Sequence, residues 1–215
     1  LSPRTDGRLA GLDGLRGLAA AWVCLFHLWQ WPLPKVISIN NSDAYAFIML
    51  GNKAVPVFAA LSGLVIYRSF IKNYTRNEAS VSDVLIRFFT NRFLRIWPLY
   101  AATTFASLAF FNSSKAIPGQ ASVSDTIGEL AMLRLIGWPK ILNPPTWSLY
   151  VEVAFYIAIP VLAIITLRSG VIIPLLTFVI LFATDLVGPR EFALWKYFFL
   201  GIAAETILRS NLRLG

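Results

Sequence analysis

Six apolar runs recur along this chain, each close to the roughly 20 residues that a bilayer-crossing helix needs, and the short segments between them collect most of the cations. That alternation leaves few folds open. Hydrocarbon offers no water to satisfy peptide groups, so each run must pair its own backbone as a helix and bury its polar side chains against other helices. The expected fold is all-α, a polytopic transmembrane helical bundle forming one domain over residues 1–215. Composition agrees: 57% of residues are hydrophobic and 14% charged, with seven tryptophans in 215 positions. The net charge of +8 is scattered over short connections and forms no continuous basic surface, so a bilayer is the expected partner and nucleic acid is not. Cys24 is the single cysteine, which excludes a disulfide framework and argues against a metal centre. The first fourteen residues contain no apolar stretch of a secretory leader.

The runs fall at 15–31, 54–71, 96–111, 147–167, 171–187 and 192–208. Trp29 and Trp31 suit the far interface of the first span, and Pro32 and Pro34 end it. A short external loop at 35–45 follows. Ser62-Gly63 in the second span permits close helix packing. Arg68, Lys72, Arg76, Arg87, Arg92 and Arg95 then gather against Glu78 and Asp83, which marks that connection as cytoplasmic. Within it Ser82 is a candidate cap for an amphipathic helix along the inner interface. Residues 112–129 read as a polar external loop, 130–136 as a partly inserted segment, and Thr146 as the cap of the fourth span. On this topology twelve of the nineteen Lys and Arg face inward, and both termini are cytoplasmic.

Three polar groups stand where such a chain can least afford them. Arg16 and His27, the only histidine, are eleven residues apart on one face of the first span, about 16 Å along an ideal helix. A histidine here serves either as a helix–helix hydrogen-bonding group or as a titratable centre. Arg92 and Arg95 share a helical face, where two guanidinium groups either anchor the chain at the inner surface or clamp a phosphate-rich group. Ser148, Glu152 and Tyr156 recur at i, i+4 and i+8 on the fourth span, and an intramembrane carboxylate needs a partner such as Arg16, His27 or another cation. Asp185 is a weaker candidate.

These residues carry a family resemblance. Leu12-Asp13-Gly14-Leu15-Arg16-Gly17 followed by His27 resembles the N-terminal signature of the acyltransferase family 3 membrane proteins. Val55-Pro56-Val57-Phe58 through Ser62-Gly63 resembles that family's second span. Arg92 and Arg95 before Ile96-Trp97-Pro98 are similar to its cytoplasmic arginine motif, and Thr146-Trp147-Ser148-Leu149 with Glu152 and Tyr156 to a later motif. The motifs cover the chain from Leu9 to about Pro160; Val153 stands where the later motif commonly has a second acidic residue.

The resemblance implies a bacterial inner-membrane O-acyltransferase. The enzyme would transfer an acyl group, expected to be acetyl, from cytoplasmic acyl-CoA to a hydroxyl of a carbohydrate or glycolipid. It implies His27 as catalytic base or acyl relay, Arg16 and Glu152 as its catalytic partners, Arg92 and Arg95 as acyl-CoA ligands, and Asp13, Ser148 and Tyr156 in support. Acyl-CoA would be the donor substrate, with no bound cofactor. Family members have more spans than six, so this chain is expected to be the N-terminal part of a longer domain. A proton-coupled transporter or lipid-linked-sugar flippase is the alternative, because intramembrane Arg, His and Glu suit that chemistry too.

Overall fold

The computed structural model describes residues 10–30, 43–75, 80–113, 122–133, 142, 146–184 and 192–214, and everything below concerns these. They form eight α-helices: α1 (Ala10–Gln30), α2 (Asp43–Met49), α3 (Ala54–Tyr74), α4 (Val81–Ser113), α5 (Val123–Leu130), α6 (Trp147–Ser169), α7 (Ile172–Ala183) and α8 (Trp195–Leu214). A 3₁₀ turn, Leu50–Lys53, joins α2 to α3, so the expected external loop is already helical from Asp43. No strand occurs among the described residues.

Two helical stretches, Asp43–Tyr74 and Trp147–Ser169, are long and apolar enough to cross a bilayer, while Gly14–Trp29 and Ile172–Ala183 are apolar but shorter. Many large apolar side chains point outward, Leu18, Leu99 and Ile172 being 70–72% exposed. A membrane helical protein accounts for that surface, since lipid replaces water as its neighbour.

The core is built on α3, which packs most extensively on α8 and also meets α1, α6 and α4. Small residues make this possible, as the Ser62-Gly63 pair leads one to expect. A Cβ on Gly63 would strike the Phe198 backbone, and one on Gly201 would stand 2.6 Å from the Leu64 nitrogen, so the two helices touch backbone to backbone. Around this seam Phe70, Phe155, Ile159 and Ile202 are almost fully buried, and Phe155 stacks on Phe198 at 4.2 Å. Arg68 and Glu205 add an ion pair across it at 3.5 Å.

Five local expectations need correction. The interfacial helix and the third span are one continuous helix, α4, with Pro98 inside it. Proline removes a single hydrogen bond, to the Leu94 carbonyl, and that loss does not end a helix whose flanks are otherwise helical. Its cap is Ser80, whose hydroxyl accepts the Asp83 N–H at 3.2 Å, and not Ser82. Residues 112–129 are not merely a loop: α5 lies there, opened by a reciprocal capping box between Ser122 and Asp125. Thr146 occupies the N-cap position of α6 without a capping hydrogen bond. Trp29 is buried, against Tyr45 of α2, where the sequence places it at the interface. Trp31, Pro32, Pro34 and Asp185 lie outside the described residues.

Candidate active site

Arg16 stands on α1 with its side chain turned inward, 7% exposed, its guanidinium 5.2 Å from the centre of the Phe58 ring on α3. It interacts electrostatically with Arg95, Glu152, Tyr156 and Arg92. Three helices distant in sequence, α1, α4 and α6, therefore bring five of the predicted residues into one neighbourhood. Glu152 is buried and its Oε1 accepts the Tyr156 hydroxyl at 2.6 Å, one helical turn along α6. The Arg92 guanidinium lies 5.6 Å from the Tyr156 ring centre and 5.7 Å from that of Phe88, cation–π distances to both. Arg95, one turn further along α4, is exposed.

Hydrogen bonding in this cluster is incomplete. Arg16 Nη1 and Arg92 Nε are buried and have no hydrogen-bond partner among the described residues. Arg16 has two further guanidinium groups and one carboxylate in its surroundings, and a buried donor without an acceptor is costly, so the arrangement is suited to receive an anion. Pro160, in the interior of α6, removes the N–H that the Tyr156 carbonyl would accept, which leaves one more backbone acceptor beside the cluster.

A cavity of about 220 Å³ opens beside Arg92 and Tyr156. Phe89, Phe93, Ile96, Trp97, Met132 and Val153 supply an apolar wall. Met132 reaches it from the turn after α5 in a left-handed conformation, φ 54°, unusual for a residue with a side chain.

The remaining predicted residues stand apart from this cluster. His27 is half-buried on α1, edge-on to Phe26 at 5.2 Å, and no hydrogen bond or ion pair joins it to a described residue. It is eleven residues from Arg16 on a single helix, so the rigid spacing of about 16 Å expected from the sequence is kept. Ser148 lies half-buried in the first turn of α6 without a described hydrogen bond. Asp13 is in the first turns of α1 and its side chain lies outside the described set. No group of three or more potential metal ligands occurs among the described residues.

Sequence reasoning misses two buried carboxylates, Glu205 of the α3–α8 seam and Glu129. Glu129, assigned to the end of an external loop, is 1% exposed. Its Oε1 accepts the Tyr150 hydroxyl at 2.7 Å, its Oε2 the Leu142 N–H at 3.3 Å and its carbonyl the Tyr100 hydroxyl at 2.7 Å. The two tyrosine oxygens are themselves 2.8 Å apart. A usable signal is the Ser122-x-x-Asp125 capping box, which starts a helix in residues that otherwise read as loop.

Buried guanidinium groups and a carboxylate gathered inside a membrane helical protein, beside an apolar cavity, mark a candidate functional site. The chain is a member of the acyltransferase family: a profile described as an acyltransferase domain matches residues 9–208. It is also similar to Acyltransferase MdmB of Streptomyces mycarofaciens, at 30% identity over 161 residues, covering 71% of this chain and 38% of that protein. The match thus covers well under half of that relative's length. No solved structure matches it.

Proposed function

We propose that this domain transfers an acyl group from cytoplasmic acyl-CoA to a hydroxyl of a carbohydrate or glycolipid, within a six-span bundle of the bacterial inner membrane whose termini are both cytoplasmic. The observation that carries the reading is the gathering of Arg92, Arg95 and Glu152 about Arg16, with nitrogens of Arg16 and Arg92 buried and unpartnered among the described residues. Coenzyme A is anionic at one end and bears its thioester on a long arm. Phosphates held by Arg92 and Arg95 would leave that arm to run along the apolar cavity, away from the charged end.

In this reading His27, about 16 Å along α1 from Arg16, meets the thioester end. The imidazole takes the proton of the acceptor hydroxyl as its oxygen attacks the thioester carbon and the CoA thiolate leaves, or it accepts the acyl group itself and passes it to the hydroxyl. Arg16 and Glu152 balance charge near the donor, Tyr156 fixes Glu152, and Asp13 and Ser148 are supporting positions at the ends of α1 and α6. Acetyl is the simplest acyl group, and the domain is read as the N-terminal part of a longer one. The test is transfer of labelled acetyl from acetyl-CoA to membrane glycans in vesicles carrying the chain or its His27→Ala form. Transfer by the first and not the second is expected; equal transfer by both, at equal folded protein, overturns the role of His27.

A further inference from the structure

The hydrogen bonds about Glu129 do something that the charged cluster cannot do for itself. Arg92 and Tyr156 belong to different helices, α4 and α6, and no hydrogen bond between their side chains holds them together; their contact is guanidinium over ring. Beyond Arg92, α4 runs on through Pro98, where the missing hydrogen bond makes a helix prone to bend. The bonds that fix α4 to α6 come just after that point. Tyr100 of α4 and Tyr150 of α6 share a hydroxyl contact at 2.8 Å, and Glu129 takes a hydrogen bond from each, through its carbonyl and its carboxylate. Trp97 donates to the neighbouring Leu130 carbonyl at 3.2 Å, and Met132 N–H returns to the Glu129 carbonyl at 2.8 Å. Trp97 and Met132 are cavity wall.

We infer that Glu129 is a positioning residue: it bolts α4 to α6 across the proline and so sets the width of the cavity and the placement of Arg92 over Tyr156. It touches no residue of the charged cluster and acts through Tyr100, Tyr150 and the wall residues. For catalysis the inference rests on the reading of Arg92 as part of the acyl-CoA site; for helix spacing it stands on the hydrogen bonds alone.

The test compares wild type, Glu129→Ala, Tyr150→Phe and Glu129→Gln in nanodiscs, with Cys24→Ser as background. Spin labels at the exposed positions Leu94 and Val161 report the distance between α4 and α6, and labels at Val57 and Ile207 report α3 and α8. Glu129→Ala and Tyr150→Phe are expected to lengthen or broaden the first distance and leave the second unchanged. They should also raise KM for acetyl-CoA about tenfold to a hundredfold while kcat at saturation stays within about threefold, as misplacement of a binding group does. Glu129→Gln, which keeps an acceptor for Tyr150, should fall between them and wild type. An unchanged α4–α6 distance overturns the inference, as does a joint change of both distances with KM unaffected. Should the first distance alone change while wild type neither binds nor uses acetyl-CoA, Glu129 still positions α4 against α6, and it is the assignment of Arg92 to the donor that fails.

Discussion

Tyr156 donates its phenolic hydrogen to Glu152 Oε1 at 2.6 Å while its ring lies under the Arg92 guanidinium. One side chain thus joins the buried carboxylate of Glu152 to a cation on another helix. Tyr156→Phe keeps the ring and deletes the donor. Because Glu152 is buried, the orphaned acceptor is expected to cost about 1–3 kcal/mol, read as a lower melting temperature in nanodiscs. Tyr156→Leu should cost more, since the ring beneath Arg92 goes as well.

Arg92 and Arg95 are not equivalent, although the sequence presents them as a pair. Arg92 lies over two rings and lines the cavity, whereas Arg95 is exposed. Lysine cannot reproduce a planar, stacked guanidinium. Arg92→Lys is expected to weaken acyl-CoA binding about tenfold, near 1.4 kcal/mol, and Arg95→Lys by less than about threefold at moderate salt. Titration of purified protein with labelled CoA separates the two.

Arg16 and Glu152 interact across α1 and α6 without a hydrogen bond between them. Removing either leaves the other with altered surroundings, so their effects should not add. A double-mutant cycle with Arg16→Met and Glu152→Gln, read by thermal unfolding, is expected to give a coupling of about 0.5–3 kcal/mol. Additivity would mean that Arg16 is held by Phe58 alone.

The glycines divide into two kinds. A methyl at Gly201 would overlap the α3 backbone, whereas one at Gly17 of α1 meets nothing within 4 Å. Gly201→Ala should destabilise by about 1–3 kcal/mol through overpacking. Gly17→Ala should be neutral or stabilise by up to about 1 kcal/mol, because alanine loses less entropy in a helix.

Much of this was legible in the sequence, for a physical reason. Apolar runs betray themselves by length and hydropathy, so α3, α6 and α7 lie within about four residues of where hydropathy puts them, while α1 begins five residues earlier and α8 ends six residues later than the apolar runs do. Arg16 and Glu152 stand out because charge inside an apolar run is expensive, Arg92 and Tyr156 because helical spacing sets them on one face with Arg95 and Glu152, and the fold brings the four together. What the pattern could not give was partnership. Glu129 looked like loop because its acceptors are filled by tyrosines on two other helices, and nothing local announces that. The unity of α4 was hidden because Pro98 and a change from basic to apolar composition together imitate a boundary. His27 shows the converse: conspicuous in sequence, it is tied to none of the other candidates by a bond in the fold.

The glycine seam between α3 and α8 has a mechanical consequence. Side-chain surfaces in contact can creep by exchanging rotamers, but two backbones pressed together behave as a pin in a notch, locked against sliding and against rolling. The α3–α8 pair is therefore the fixed post of the bundle, and it carries Phe58, the ring on which Arg16 rests. Rocking that would open the charged cluster has to be taken up by α1, α4 and α6, the helices that contribute Arg16, Arg92 and Glu152 to it.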